Sequence, residues 1–197
     1  AGLRLGQVLD GGTVAIAAQR RAVYVNAGAT IDVSGTNATL DLPTQLGSTA
    51  NTVPTLVASR GGTIALTAAD AILLGGDLRA DAGGAGVSGG ALSVTLNAND
   101  RAGSGERYPL TFTERRIVVT DTAPGISVAP GAALPGTLFG QALVGADSVQ
   151  DAGFDSVSLA AGTTVGLDEV SCEVIAPGVI EFSGDVDLHV GRQIVLD

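Results

Sequence analysis

The stretch from Gly61 to Gly84, GGTIALTAADAILLGGDLRADAGG, limits the possible folds more than any other part of the chain. It predicts three short strands in succession, each closed by small residues or a glycine pair, at 63–67, 71–74 and 77–80. In the first of them the apolar side chains alternate with small ones, which is typical of a half-buried strand. Three strands in so short a span leave no room for a helix. Because each strand alone buries too little surface, the stretch predicts one turn of a stacked structure.

The same pattern recurs along the chain. A second copy runs from Thr13 to Gly35, and both copies open with Gly-Gly-Thr. The alignment matches Val14 and Ile16 with Ile64 and Leu66, Val23 and Val25 with Ile72 and Leu74, and Ile31 and Val33 with Leu78 and Ala80. Two interrupted copies follow, with apolar positions at Leu92, Val94, Leu96, Ile117–Val119 and Ile126–Val128, and then at Val157, Leu159, Ile180, Phe182, Val186, Leu188 and Val190. Ile194 and Leu196 would begin a fifth copy.

Segments that break the period separate these strands. They are rich in Gly, Pro, Asp and other turn-forming residues, and we interpret them as surface excursions at 36–60, 98–114, 130–153 and 162–177. Within the third, the stretch from Phe139 to Val149 is compatible with a short helix.

These patterns predict an all-β fold, in which residues 1–197 form a single segment of right-handed parallel β-helix with about four to five coils. A β-sandwich also shows short alternating strands, and it is the alternative architecture. The repeated Gly-Gly-Thr openings favour the stacked coil.

Composition excludes several classes of function. The chain has 20 acidic and 10 basic residues, for a net charge of −10, so it offers no basic stripe for nucleic acid or an anionic membrane. It contains no lysine, which removes Schiff-base chemistry, and Cys172 is its only cysteine, so no intramolecular disulfide forms. The longest uncharged run, between Asp121 and Asp147, carries prolines and glycines that rule out a continuous membrane-spanning helix.

The amino-terminal residues do not read as a signal peptide. The chain lacks an initiator Met, and Leu3 and Leu5 alternate as residues do inside a strand. We therefore expect a segment from the interior of a larger protein.

Three stretches carry a family resemblance: VNAGATIDVSG at 25–35, GGTIALTAADAILLGGDLRADAGGAG at 61–86, and GFDSVSLAAG at 153–162 with the later VIEFSGDVDLHVGRQIVLD. In these stretches the chain resembles the filamentous haemagglutinin-type large exoproteins, the secreted partners of two-partner secretion systems. The resemblance implies a β-helical shaft that an outer-membrane transporter exports to the surface of a Gram-negative bacterium. It also implies a role in adhesion, biofilm formation or contact-dependent interaction, with a host receptor or glycan bound by the excursions. It implies no catalytic residues, and we expect neither cofactor nor metal.

One acidic group suggests an alternative function. Asp185, Asp187 and His189 alternate with Val186, Leu188 and Val190, which places the acidic trio on the outer face of a predicted strand. With Glu181, this group could act as the general acid and base of a polysaccharide lyase or hydrolase built on a β-helix. The simpler interpretation is a solvated strand face.

A second acidic group raises the question of calcium. Asp147, Asp151 and Asp155 recur every four residues beside glycines, and carboxylate oxygens are calcium ligands. The chain has neither an EF-hand loop pattern nor the glycine-aspartate nonapeptide of calcium-binding β-rolls, so the sequence leaves this question open.

The remaining candidates have structural interpretations. Cys172 and His189 could be a nucleophile and its base, but no third group to orient the base is evident, so we expect a structural thiol. Tyr24 and Tyr108 are the only tyrosines and tryptophan is absent, so aromatic platforms for sugar rings are scarce.

A charged triplet precedes the predicted strand at 117–119. We expect its members to pair across neighbouring coils or with solvent; they are Glu114, Arg115 and Arg116.

Overall fold

A computed structural model describes residues 2–44, 51–101, 113–166 and 173–197, with the backbone alone described at 98–101, 163–166 and 173–177. The fold is predominantly β, and most of its strands lie in parallel sheets. The strands are β1 (Thr13–Ala18), β2 (Val23–Val25), β3 (Thr30–Asp32), β4 (Asn37–Pro43), β5 (Thr52–Ala58), β6 (Thr63–Ala68), β7 (Ala71–Leu74), β8 (Asp77–Arg79), β9 (Gly90–Arg101), β10 (Arg116–Thr120), β11 (Gln141–Gly145), β12 (Phe154–Gly166), β13 (Glu173–Pro177), β14 (Val179–Ser183) and β15 (Gln193–Leu196). A short helix, α1 (Ala146–Gln150), follows β11. No helix in the described ranges is long and apolar enough to cross a membrane.

The first sheet is a ladder of parallel strands in the order β1-β6-β9-β12-β15. We number its five rungs as levels 1 to 5, from β1 to β15. One row of side chains crosses all five levels in register: Ile16, Leu66, Val94, Leu159 and Leu196. The predicted alignment of the first two copies is confirmed, because Val14 lies opposite Ile64 and Ile16 opposite Leu66.

Alternation along these strands builds the core. In β6, Ile64 and Leu66 are fully buried, whereas Thr63 and Ala65 lie on the outer face and are half-buried. Burying a leucine or isoleucine side chain stabilises the fold by about 1.5–3 kcal/mol, so each added level extends a continuous apolar row. The outer face carries only small residues at positions 63, 65, 67, 91, 93 and 95.

The second and third faces begin as the sequence predicts. β2 pairs in parallel with β7, with Val23 opposite Ile72 and Val25 opposite Leu74. β3 pairs with β8, with Ile31 opposite Leu78. Levels 1 and 2 therefore contribute one strand to each of three sheets, and the predicted three-strand repeat is confirmed for both copies.

Level 3 departs from the prediction. The second sheet has the order β2-β7-β11-β10-β14, so β11 lies between β7 and β10 although it follows β10 in sequence. The placement of 117–119 in the third copy was wrong, because β11 and not β10 lies beside β7, and the assignment of all of 130–153 to an excursion was also wrong. The proposed helix at 139–149 is half right, since 141–145 form β11 and α1 begins at Ala146. The inward residues of β11 are Ala142, which lies between Ile72 of β7 and Ile117 of β10, and Val144, and both are buried.

Residues 121–140, which we call the strap, connect β10 to β11 along the outside of the second sheet. The strap crosses the turns that follow β11, β7 and β2: a Cβ on Gly145 would lie 2.5 Å from Ala123, and one on Gly75 would lie 3.3 Å from the carbonyl oxygen of Pro124. These glycines leave room for the chain to pass. On level 1, the Asn26 amide donates a hydrogen bond to Val128 O (2.8 Å) and accepts one from its N–H (3.2 Å).

The strap also covers the outer side of the second sheet. The predicted strand at 126–128 is not formed; instead Val128 and Leu138 pack with Leu73 in a second apolar cluster, against which Tyr24, Leu134 and Leu143 also lie. Of the two apolar residues that look in the sequence like another inward-facing strand, Val128 therefore packs beneath the strap, whereas Ile126 is 40% exposed.

The excursion at 36–60 is an antiparallel hairpin of β4 and β5. Its base is closed by Ser59, which is buried and whose hydroxyl accepts a hydrogen bond from Thr36 N–H (2.9 Å) and donates one to Thr36 O (3.2 Å). On the outer side of β4, the backbone N–H of Arg4 donates to the Asp41 carboxylate (2.7 Å) and lowers its pKa.

The excursions at 98–114 and 162–177 begin as continuations of ladder strands. Beyond the six residues that pair with β6, β9 continues to Arg101 alongside residues 162–166 of β12. β13 adds an antiparallel strand on the other side of β12. The described parts of both excursions therefore form paired strands of the first sheet.

Candidate functional site

Described residues form a cleft of about 480 Å³ between β8 and α1, which we call the acidic cleft. Its charged lining residues are Asp77, Arg79, Asp81, Asp147 and Asp151, with Gly75, Gly76, Leu78, Ala123 and Ser148 completing the wall. The cleft lies on the side of the stack that is formed by β8 on level 2 and by α1 on level 3.

Strand alternation on β8 supplies one wall of the cleft. Leu78 points inward and is buried in the core, so Asp77 and Arg79 on either side of it point outward. Asp81 continues this outward row two residues later. The apolar position thus fixes the direction of three charged side chains.

Helix α1 supplies the opposite wall. Ala146 and Val149 are buried against the core, which turns Asp147 and Asp151, four residues apart, toward the cleft. Asp147 is held in place, because its Oδ1 accepts hydrogen bonds from Ser148 N–H (2.6 Å) and from the Ser148 hydroxyl (3.2 Å). Its backbone N–H donates to Asp121 O at 3.0 Å, so the start of the strap also anchors this wall.

Four carboxylates and one guanidinium give the acidic cleft a negative charge. Such a surface accepts hydrogen bonds from hydroxyl groups and attracts cationic side chains. Within the part of the chain that the structure describes, no group of three or more carboxylate, histidine or cysteine side chains is arranged to hold a metal ion. Asp155, the third member of the aspartate series from the sequence, pairs instead with Arg192 (3.4 Å).

The acidic residues near the carboxyl terminus lie on an open surface. Asp187 and His189 are 3.6 Å apart, and their side chains are 89% and 74% exposed. The predicted alternation of burial is confirmed, since Val186, Leu188 and Val190 pack against the core, but the predicted strand is not formed at 184–190. Asp185 is likewise exposed.

Glu181, proposed as their partner, forms a different interaction. Its carboxylate accepts a hydrogen bond from Arg116 at 2.6 Å, and Arg116 also pairs with Glu114 at 2.9 Å. These hydrogen bonds, to Glu114 first and then to Glu181, raise the pKa of Arg116. The expectation of charge pairing across neighbouring strands is confirmed for Arg116.

Arg115 behaves differently from its neighbours in the charged triplet. Its side chain is only 2% exposed; Nε donates to Ala69 O and an Nη to Thr113 O, both at 2.7 Å, and the guanidinium lies 5.2 Å from the centre of the Phe139 ring. The expectation of a surface pair was wrong for this residue. The signal was in the sequence, since Arg115 continues the inward alternation of Ile117 and Val119.

Three candidates from the sequence remain, Cys172, Tyr108 and Tyr24. Cys172 and Tyr108 lie outside the described residues. Tyr24 packs beneath the strap, where burial, with a smaller contribution from the charge of Asp70, raises the pKa of its phenol.

Sequence reasoning missed the acidic cleft as a unit. Asp77, Arg79 and Asp81 were recognisable as an outward charged row, and Asp147 and Asp151 as a spaced pair. These two groups lie together only because β11 lies on level 3 although it follows β10 in sequence. No local sequence pattern predicts that strand order.

Neither protein-family models nor curated protein sequences nor solved structures match this chain.

Proposed function

We propose that this chain is a segment of a right-handed parallel β-helix that serves as the structural and adhesive shaft of a secreted bacterial surface exoprotein, without catalytic activity. The observation that supports this proposal most strongly is the five-level ladder of parallel strands, in register from β1 to β15. A structure of this kind grows by adding levels, each of which contacts mainly its neighbours. Such growth suits a protein whose task is to span distance.

The resemblance to filamentous haemagglutinin-type exoproteins supports the cellular setting of the proposal. The segment would be exported by an outer-membrane transporter and would act at the bacterial surface in adhesion, biofilm formation or contact-dependent interaction. Its net charge of −10 is consistent with an exposed shaft that repels nucleic acid and anionic lipid.

The β4–β5 hairpin is the excursion that we propose to contact a host receptor or glycan. It carries exposed apolar side chains on both faces, with Val53 and Leu42 paired on one face and Leu56, 64% exposed, on the other. Exposed apolar residues on a polar surface are typical of protein interaction sites.

The experiment replaces residues 38–57 by a two-residue Asn-Gly turn and leaves Thr36 and Ser59, which close the base of the hairpin, in place. We expect the far-ultraviolet circular dichroism of the ladder to persist, while binding of the labelled protein to host cells and to a glycan panel is lost. The matched control is Thr39→Ser, which keeps the hairpin and should bind as the unaltered chain does. Loss of the β signal on hairpin removal would argue against an independent shaft, and undiminished binding would argue against the hairpin as the adhesive element.

The non-catalytic part of the proposal has its own test. Glu181 is engaged by Arg116, and Asp187 and His189 stand in open solvent, where general acid–base pairs lack a means to hold a substrate in place. We expect no product release from a panel of acidic polysaccharides. Turnover that disappears in the Asp187→Asn variant would overturn this expectation.

A further inference from the structure

Strand β10 lies off the regular path of the coil. On level 2, β6 ends at Ala68 and β7 begins at Ala71, so a turn of two residues joins the first sheet to the second. On level 3, Leu96 of β9 lies opposite Ala68, and Gln141 of β11 lies opposite Ala71. Residues 97–140 therefore stand in the place of a two-residue turn, and β10 belongs to this insertion.

The strands on either side of β10 hold it in the same register. Arg116 of β10 lies opposite Gln141 of β11 on one side and opposite Val179 of β14 on the other. Ile117 and Val119 of β10 point inward and are fully buried. β11 and β14 therefore border a space one strand wide, which we call the acceptor slot and which β10 fills.

Helix α1 holds the acceptor slot open from the third face of the stack. An α-helix is about 10–12 Å wide, about twice the 4.8 Å spacing between paired strands. The helix segment lies between β8 and residues 184–190: Ala80 N–H, just after β8, donates to Ala152 O (2.7 Å), and Gln150 Nε2 donates to Asp187 O (2.6 Å). Because β14 leads directly into 184–190, the width of the helix keeps β14 one strand away from β11.

We propose that the acceptor slot is a strand-binding site of the folded coil, which the chain fills with its own β10 as a detachable ligand. Groups outside the insertion recognise this strand. Arg115 donates a hydrogen bond to Ala69 O (2.7 Å), and Arg116 pairs with Glu181 (2.6 Å). The slot therefore takes an extended segment with apolar side chains at alternate positions, preceded by two arginines, and binds it by parallel strand addition. This binding does not rest on the proposed adhesive role.

Cutting the folded chain on both sides of β10 tests the proposal. One protease recognition sequence is inserted after Gly105 and another after Gly125, which is exposed in the strap. The full chain is folded first and cleaved afterwards, so that residues 106–125 become a separate fragment. We expect this fragment to co-elute with the rest of the chain in gel filtration, and the far-ultraviolet circular dichroism of the other strands to persist. A fluorescent synthetic peptide of residues 106–125, added in excess at a urea concentration below the unfolding midpoint, should then replace the fragment.

Val118 and Val119 provide a matched pair of substitutions within the peptide. Val119 points inward and is fully buried, whereas Val118 points outward and is half-buried. Val119→Thr would bury a hydroxyl group without a partner, so this peptide should bind about 10- to 100-fold more weakly in a competition measured by fluorescence anisotropy. The Val118→Thr peptide is the control and should bind as the unaltered peptide does.

Three results would overturn the proposal. Loss of the β signal on cleavage would show that β10 is an integral strand of the coil and not the ligand of a preformed slot. Failure of the peptide to enter, whether or not the fragment leaves, would show that the slot does not bind a free strand. Equal binding of the two substituted peptides would show that the peptide does not enter in the register of β10.

Discussion

Leu159 and Leu196 occupy the same row on adjacent levels and differ in burial, which makes them a matched pair for testing the ladder. Leu159 lies between Val94 and Leu196 and is fully buried, whereas about half of the Leu196 side chain is exposed. Truncating a fully buried leucine removes its transfer free energy and leaves a cavity, so Leu159→Ala should lower the free energy of unfolding by about 3 kcal/mol. Leu196→Ala leaves no enclosed cavity and loses only part of the transfer term, about 1 kcal/mol.

Urea denaturation followed by far-ultraviolet circular dichroism measures both variants. With an m-value of about 2 kcal/mol/M, the predicted loss for Leu159→Ala moves the midpoint by about 1.5 M, and that for Leu196→Ala by about 0.5 M. Equal shifts for the two variants would refute the assigned register, because both leucines would then have the same environment. A Leu159→Ala shift below that of Leu196→Ala would refute the continuous buried row.

Three further predictions concern the strap, the buried arginine and pH. Asn26→Ala removes both hydrogen bonds to Val128, so it should cost about 1–2 kcal/mol and speed hydrogen exchange in the strap while the ladder stays protected; uniform exchange across both would contradict this. Arg115→Ala leaves two backbone carbonyl oxygens unpaired and should lower the free energy of unfolding by about 3 kcal/mol, as measured by urea denaturation; a neutral effect would mean that the guanidinium adds no net stability. The raised pKa of Tyr24 means that the folded chain keeps this proton to higher pH than the unfolded chain, so stability should fall as pH rises above about 10; Tyr24→Phe should flatten this fall, and an equally steep fall in the variant would contradict the prediction.

Much of the fold could be predicted because its information is local. The alternation in 13–35 and 63–84 predicted which side chains point inward, and the Gly-Gly-Thr openings predicted the register between β1 and β6. Even the position of the last strand, at Ile194 and Leu196, followed from the repeat. In each case the two-residue alternation identifies a strand, and its recurrence in a second copy identifies the strand that pairs with it.

The order of the second sheet could not be predicted in this way. β10 and β11 both alternate as strands do, and nothing in either one states which lies next to β7. The order depends instead on the route of the strap, which returns the chain from β10 to a position beside β7. The glycines that admit the strap, Gly75 and Gly145, look like ordinary turn residues in the sequence. The acidic cleft depends on the same path of the chain, so the sequence did not predict it either.

The surfaces around the stack differ in what they offer to a partner. The outer face of the first sheet carries only small side chains at positions 63, 65, 67, 91, 93 and 95, and the strap covers the outer side of the second sheet. The β4–β5 hairpin, in contrast, presents Leu56 to solvent, and Ser59 O at its base accepts a hydrogen bond from Gly83 N–H at 2.8 Å. If adhesion resides in the hairpin, Leu56→Thr should weaken binding while the urea midpoint of the ladder stays unchanged, because this side chain adds nothing to the buried row. A change in the midpoint without a change in binding would assign Leu56 to the shaft instead.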